Sequence, residues 1–205
     1  MEIKKVSEKE YLQLRNLWCK VFDDEADYVD AVYDKLDAVG YVVVEDDKVI
    51  SCLTLFEVGE FDGKTVDVSY AICTEPNMRG NSYASKLVEY VREEITRNGK
   101  LSLICPAEKS LVRFYQRLQY VPMFYADKSD NVIAYAELQE GILKDVPHII
   151  MNSKFIEFVK NEIDADCRTS YVPTNSGGLV LGMIAGDYTA SKKDYYLPYF
   201  GFPLE

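Results

Sequence analysis

The chain has 205 residues, of which 48% are hydrophobic and 13% aromatic, and a formal net charge of −11. That length and apolar content are enough to fill a core, which argues against disorder, and the acidic balance argues against nucleic acid, whose phosphates are bound by clustered Lys and Arg. Five scattered cysteines without a C-x-x-C pair, and the single histidine His148, speak against a disulfide framework, a His-based metal site and a Ser-His-Asp relay.

The first residues, MEIKKVSEKEY, lack an apolar signal core, and no run approaches the about 18 apolar residues of a membrane span. A cytoplasmic protein without membrane association is expected. Residues 2–6 read as a short strand. Ser7 and Glu10 have the spacing of a capping box, and Leu14, Leu17, Trp18 and Val21 follow at helical spacing. Asp23 or Asp24 is expected to cap a second helix carrying Val29, Val32, Tyr33 and Leu36. Its acidic first turn suits the helix dipole, and could also draw a cationic acceptor.

Tyr41 to Val44 and Val49 to Phe56 read as an antiparallel hairpin turning at Glu45-Asp46-Asp47, with a second turn at Asp62-Gly63. In the next strand, Val66, Val68, Tyr70 and Ile72 alternate onto one face, with Asp67, Ser69, Ala71 and Cys73 on the other. A tight turn, Arg79-Gly80-Asn81-Ser82-Tyr83-Ala84, opens a helix marked by Leu87, Val88, Val91 and Ile95 and ended by Asn98-Gly99. A strand over 101–105 stops at Pro106, and a helix over 110–118 buries Leu111, Phe114, Tyr115 and Leu118. Strands are expected over 121–125 and 132–138.

Residues 139–205 read as a small C-terminal α/β extension, apart from a main domain over 1–138. It holds a helix capped by Asn152 or Ser153 and strands over 169–172 and 179–184. The aromatic tail ending at Leu204-Glu205 is too apolar to hang in water. It is expected to pack on the body or to form a dimer contact.

The chemistry centres on the Arg79–Ala84 turn. The start of a helix leaves backbone N–H groups unpaired and carries partial positive charge, so a strand feeding such a turn is a cradle for phosphate. The run from Pro76 to Leu87, PNMRGNSYASKL, resembles the P-x-x-R-G-x-G-x-A-S-x-L-L form of the GNAT superfamily of acyl-CoA-dependent N-acetyltransferases. Its signature, Q/R-x-x-G-x-G/A, falls on Arg79, Ser82 and Ala84. The later run from Cys105 to Tyr120 is similar to the family's "PA…FYEKLGF" segment. The nearest resemblance is to bacterial members with a C-terminal extension, such as the enhanced-intracellular-survival type.

The resemblance implies an α/β (α+β) fold in which a central, mostly antiparallel sheet splays between two parallel strands and is flanked by helices. It implies acetyl-CoA as co-substrate, with its pyrophosphate on the turn formed by Arg79, Gly80, Asn81, Ser82, Tyr83, Ala84 and Ser85. The pantetheine arm would pair with the backbone of Ile72, Cys73 and Thr74. Tyr115 matches the tyrosine that protonates the leaving thiolate, although its spacing from Leu111 also suits a core aromatic. Three positions depart from the pattern: Ser82 and Gln119 replace glycines, and Glu108 replaces an asparagine.

No general base stands out. Glu57 and Asp67 lie on candidate central strands but suit strand ends or solvent. In the enhanced-intracellular-survival type the terminal carboxylate lies in the active site, which makes Glu205 a candidate here. Cys73 and Cys105 lack the cationic partner an activated thiol needs. The expected function is acetyl transfer to a primary amine of a small molecule or peptide. The alternative is a catalytically silent acyl-CoA-binding module, which the serine at position 82 suggests.

Overall fold

The computed structural model describes residues 1–128, 149–162, 171–174 and 179–189. Among these, no helix is long and apolar enough to cross a membrane. The expected strand over 132–138, His148, Cys167 and the tail ending at Glu205 lie outside the described residues.

Among the described residues, nine strands form one sheet: β1 (Glu2–Lys5), β2 (Val39–Glu45), β3 (Lys48–Phe61), β4 (Lys64–Thr74), β5 (Leu101–Ile104), β6 (Val121–Lys128), β7 (Ile150–Met151), β8 (Tyr171–Thr174) and β9 (Leu179–Ala185). The order is β1-β2-β3-β4-β5-β9-β6-β8, and β7 adds to β3. Among the described residues, only β4 and β5 pair in parallel. Helices α1 (Glu8–Phe22), α2 (Ala26–Leu36) and α5 (Ser153–Glu162) contribute Leu14, Trp18, Val29, Val32, Phe155 and Phe158 to the core on one face. Helices α3 (Tyr83–Arg97) and α4 (Lys109–Arg117) contribute Leu87, Val91 and Tyr115 to the other.

Local signals act as expected at most ends. Glu10 reaches back to the Ser7 N–H at 3.1 Å. The Asp46-Asp47 and Asp62-Gly63 pairs all have positive φ, as two-residue hairpin turns require. The capping of α2 differs from expectation. Asp23 is the left-handed residue that ends α1, and Asp24 accepts a hydrogen bond from Trp18 Nε1 at 2.6 Å. A buried indole N–H needs an acceptor, so Asp24 is taken and Glu25 holds the N-cap position of α2.

The boundary drawn after residue 138 does not coincide with an edge of the sheet. β9 lies between β5 and β6, pairing Ile104 with Met183 and Val121 with Ile184. β7 lengthens the sheet where β2 stops, pairing Gly59 with Met151. Asn152 clasps this junction. Its N–H donates to Val58 O at 2.9 Å, its Nδ2 to Glu57 O at 3.1 Å, and its Oδ1 accepts the Phe155 N–H at 2.8 Å, capping α5.

Candidate active site

The site is built where β4 outruns β5. Their parallel pairing runs from Val66↔Leu101 to Ser69↔Ile104 and stops, because Cys105-Pro106 leaves the sheet. β4 continues to Thr74, held only by β3 among the described residues. One edge of β4 beyond Ser69 therefore faces an opening.

Just past that parting, β4 carries a bulge. Cys52 opposes Cys73 and Thr54 opposes Tyr70, so Ala71 and Ile72 together face Leu53. Ala71 sits at φ +49, a costly conformation for a residue with a Cβ. The bulge also overturns the expected alternation: Val66 and Val68 pack in the α1–α2 core, while Ile72 packs with α3 on the opposite face. Strained backbone of this kind gathers at functional sites.

Ladder alternation divides Ile72, Cys73 and Thr74. Glu75 N donates to Ile50 O at 2.8 Å, which turns Cys73, two residues earlier, toward β3. Ser51 Oγ donates to Cys73 O at 2.7 Å from that side. The backbone groups of Ile72 and Thr74 thus face the opening. The two thiols, Cys52 and Cys73, lie 3.2 Å apart, both buried and free.

A short 3-10 turn, Pro76–Met78, carries the chain from β4 to the phosphate-type loop. Arg79 Nε donates to Thr74 O at 3.4 Å and ties the loop to the strand end. Among the described residues no protein acceptor meets the N–H groups of Gly80, Asn81 or Ser82. Tyr83, Ala84 and Ser85 form the first turn of α3, where intrahelical acceptors are missing by geometry. The result is a run of six adjacent backbone N–H groups at a positive helix end. Tyr83 Oη donates to Glu45 at 2.7 Å, which anchors the helix start to β2.

Ser82 is left-handed, at φ 62 and ψ 19, and its hydroxyl does not cap α3. Gln119, the other glycine replacement, is also left-handed, at φ 68. Both departures thus sit where glycine would be free of strain. Ser82→Gly is expected to raise the melting temperature by a few degrees, about 1 kcal/mol, without weakening CoA binding. Thermal unfolding with and without CoA reads both quantities.

Tyr115 lies on the inner face of α4, in the same side-chain cluster as Ile104 and Ile72. It is 6% exposed, with ring contacts to Phe114 and Tyr120 at 5.1 and 6.2 Å between centroids. Its hydroxyl has no hydrogen-bond partner among the described residues. Burial, reinforced by Tyr120 and Cys105, pushes its phenol above the ordinary tyrosine range. The group is therefore firmly protonated at neutral pH.

The base candidates separate. Asp67 is buried and bound to Lys100 Nζ at 3.1 and 3.0 Å, and Glu57 lies 3.8 Å from the same Lys100. Burial raises the Asp67 carboxyl despite Lys100. This cluster is at the paired end of β4, away from the bulge, and reads as structural. Glu205 lies outside the described residues. A cavity of about 500 Å³ beside Asp62, Gln119 and Gly186 includes none of the residues of the opening.

Residues 2–123 match the acetyltransferase (GNAT) domain family. The chain belongs to the GNAT acetyltransferases. Solved structures similar to this GNAT protein share its fold at low identity. One is a probable N-acyltransferase of unknown function from Enterococcus faecalis, with 16% identity over 79% of this chain and 49% of that one and a TM-score of 0.59. The chain thus spans about half the length of that protein. Another is a putative acetyltransferase from Agrobacterium tumefaciens, at 14% identity, 65% and 99% coverage and a TM-score of 0.51. A third, the GNAT N-acetyltransferase YhbS from Escherichia coli in complex with CoA, has 17% identity, 59% and 68% coverage and a TM-score of 0.50. No curated protein matches the sequence.

The bulge at Ala71 was not visible to sequence reasoning, because Val66, Val68, Tyr70 and Ile72 keep an unbroken period of two. The one available signal was Ala71, a residue of low strand propensity between Tyr70 and Ile72.

Proposed function

We propose that this protein transfers an acetyl group from acetyl-CoA to a primary amine by direct attack. The reading is supported by the parting of β4 from β5 after Ser69, with the Gly80–Ser85 N–H groups beyond the end of β4 and Tyr115 in the same side-chain cluster as Ile72. Acetyl-CoA supplies an acyl group activated as a thioester. The unpaired N–H groups of the turn receive its pyrophosphate, which needs no cationic side chain at a helix start. Ile72 and Thr74 offer their backbone to the pantetheine amides in the manner of an added strand.

At the bulge, the Ile72 N–H donates to the thioester oxygen as charge develops there. The neutral amine forms the new C–N bond, the C–S bond breaks, and Tyr115 Oη gives its proton to the departing sulfur. The net charge of −11 favours a cationic acceptor, drawn in protonated and reactive once it has lost a proton.

Calorimetric titration with CoA and acetyl-CoA tests the first half. Thiol release from acetyl-CoA against spermidine, kanamycin and a lysine-containing peptide tests the second. Binding with thiol release for at least one amine is the expected outcome. Binding with none would favour a silent acyl-CoA-binding module, and no binding would sink both.

A further inference from the structure

We infer that Tyr70 is a positioning residue: its ring, wedged between helix α1 and strand β3 and tied to α2, holds the Ala71 bulge and so aims the Ile72 N–H. The inference rests on the acetyl-transfer reading. The bulge needs holding because Ala71 does not supply it. A bulge whose first residue is left-handed ordinarily places glycine there, where positive φ carries no Cβ penalty. Here an alanine stands at φ +49, and strained backbone of that kind persists only where its surroundings over-determine it.

The bulge decides which way Ile72 points. Pairing without a spare residue would continue from Thr54↔Tyr70 to Leu53 opposite Ala71 and Cys52 opposite Ile72, whereas the ladder resumes at Cys52↔Cys73. In the regular register Ile72 would leave the α3–α4 cluster it shares with Tyr115 for the α1–α2 core, and its N–H would turn from the opening to β3.

The strand is pinned on both sides of the spare residue. On the far side, Cys73 pairs with Cys52, and its carbonyl accepts from Ser51 Oγ at 2.7 Å. On the near side the fixture is the Tyr70 side chain. Its ring meets Trp18 of α1 edge-on at 5.3 Å and Phe56 of β3 at 5.8 Å between centroids, and its hydroxyl lies 3.2 Å from that of Tyr28 on α2. These partners are themselves fixed. Trp18 is fully buried with its indole N–H on Asp24, and Phe56 stacks on Phe155 of α5. A ring packed against three elements cannot slide with the strand, so the peptide that follows it keeps its direction.

Tyr70→Leu tests this when read beside Ala71→Gly. In thiol release with acetyl-CoA and the fastest amine of the panel above, Tyr70→Leu should lower kcat about tenfold to a hundredfold. KM for acetyl-CoA should stay within about threefold, because the pyrophosphate remains on the Gly80–Ser85 turn whether or not the donor is aimed. Amide exchange over residues 71–74 should speed about tenfold in the protein without acetyl-CoA. The melting temperature should fall by about 4–8 °C, as loss of a packed ring alone would cause. The deciding comparison is in the Ala71→Gly background, where the left-handed residue is free of strain. There Tyr70→Leu should lower kcat by less than about threefold, yet lower the melting temperature by the same amount as before. An equal kcat loss in both backgrounds, or unchanged exchange over 71–74, would overturn the inference in favour of a packing role. Tyr70→Phe keeps the ring and gives up only the contact with Tyr28. It should show the same pattern with a kcat loss of about threefold to tenfold, and it carries the comparison if Tyr70→Leu does not fold. If the wild type neither binds nor turns over acetyl-CoA, the acetyl-transfer reading falls, while exchange over 71–74 still decides whether Tyr70 holds the bulge.

Discussion

Tyr115→Phe is expected to slow acetyl transfer by about a hundredfold to a thousandfold and to leave acetyl-CoA affinity within about twofold. The split follows from where the hydroxyl sits. The ring is held by Phe114 and Tyr120, which phenylalanine preserves, whereas the hydroxyl has no partner among the described residues to lose. A phenol raised above its ordinary value looks too weak an acid for a thiolate of pKa about 8.5. The site answers this itself. Cys105, in the same surroundings, has its thiol pushed up to about 12 by burial alone. A thiolate leaving beside it is desolvated in the same way, so donor and acceptor rise together and the transfer becomes closely matched.

The same shift sets a pH expectation. Tyr115 titrates above its ordinary value, so its protonated, active form persists as pH rises through the range where an amine acceptor loses its proton. The kcat profile should climb with pH and show no descending limb from Tyr115 below about pH 10. A descending limb near pH 8 that vanished in Tyr115→Phe would show a lowered phenol and contradict the burial argument. A rate unchanged by Tyr115→Phe would remove it as the acid.

The parts of this site that were legible in the sequence are those fixed by short-range geometry. Arg79–Ala84 could be read because a helix start needs its own punctuation, and Tyr115 because four-residue spacing puts it on the inner face of α4. The hidden parts depend on partners far along the chain or on φ values that residue type conceals. Ser82 and Gln119 are left-handed although neither is glycine. The bulge exists because β3 and β4 pair with one residue to spare, which neither strand shows alone. β9 enters between β5 and β6 from more than fifty residues downstream of β6. Periodicity identified it as a strand but carried no information about its neighbours.

Gly59→Ala is expected to destabilise the protein by about 3 kcal/mol, lowering the melting temperature by roughly 6–12 °C. Gly59 lies at φ +153, and a Cβ there would meet Ile150 O at 2.0 Å and Ile150 C at 2.8 Å. Those are backbone atoms of β7 and have no rotamer to give, so the strand itself must move. Its movement would strain the Asn152 bonds to Val58 and Glu57 and, with them, the cap of α5. Gly63→Ala is the control. Gly63 also has positive φ, at +70, but nothing lies within 4 Å of its Cβ, so the substitution should cost only about 1 kcal/mol. Equal losses at the two positions would show that φ alone matters and that β7 is not clamped through Gly59. The clamp also bears on catalysis. Phe155 of α5 stacks on Phe56 at 5.9 Å, Phe56 packs against Tyr70 at 5.8 Å, and Tyr70 directly precedes the Ala71 bulge. Gly59→Ala should therefore lower kcat as well as stability at temperatures where the variant remains folded, while the turn at Gly80–Ser85, beyond the other end of β4, keeps its affinity for CoA.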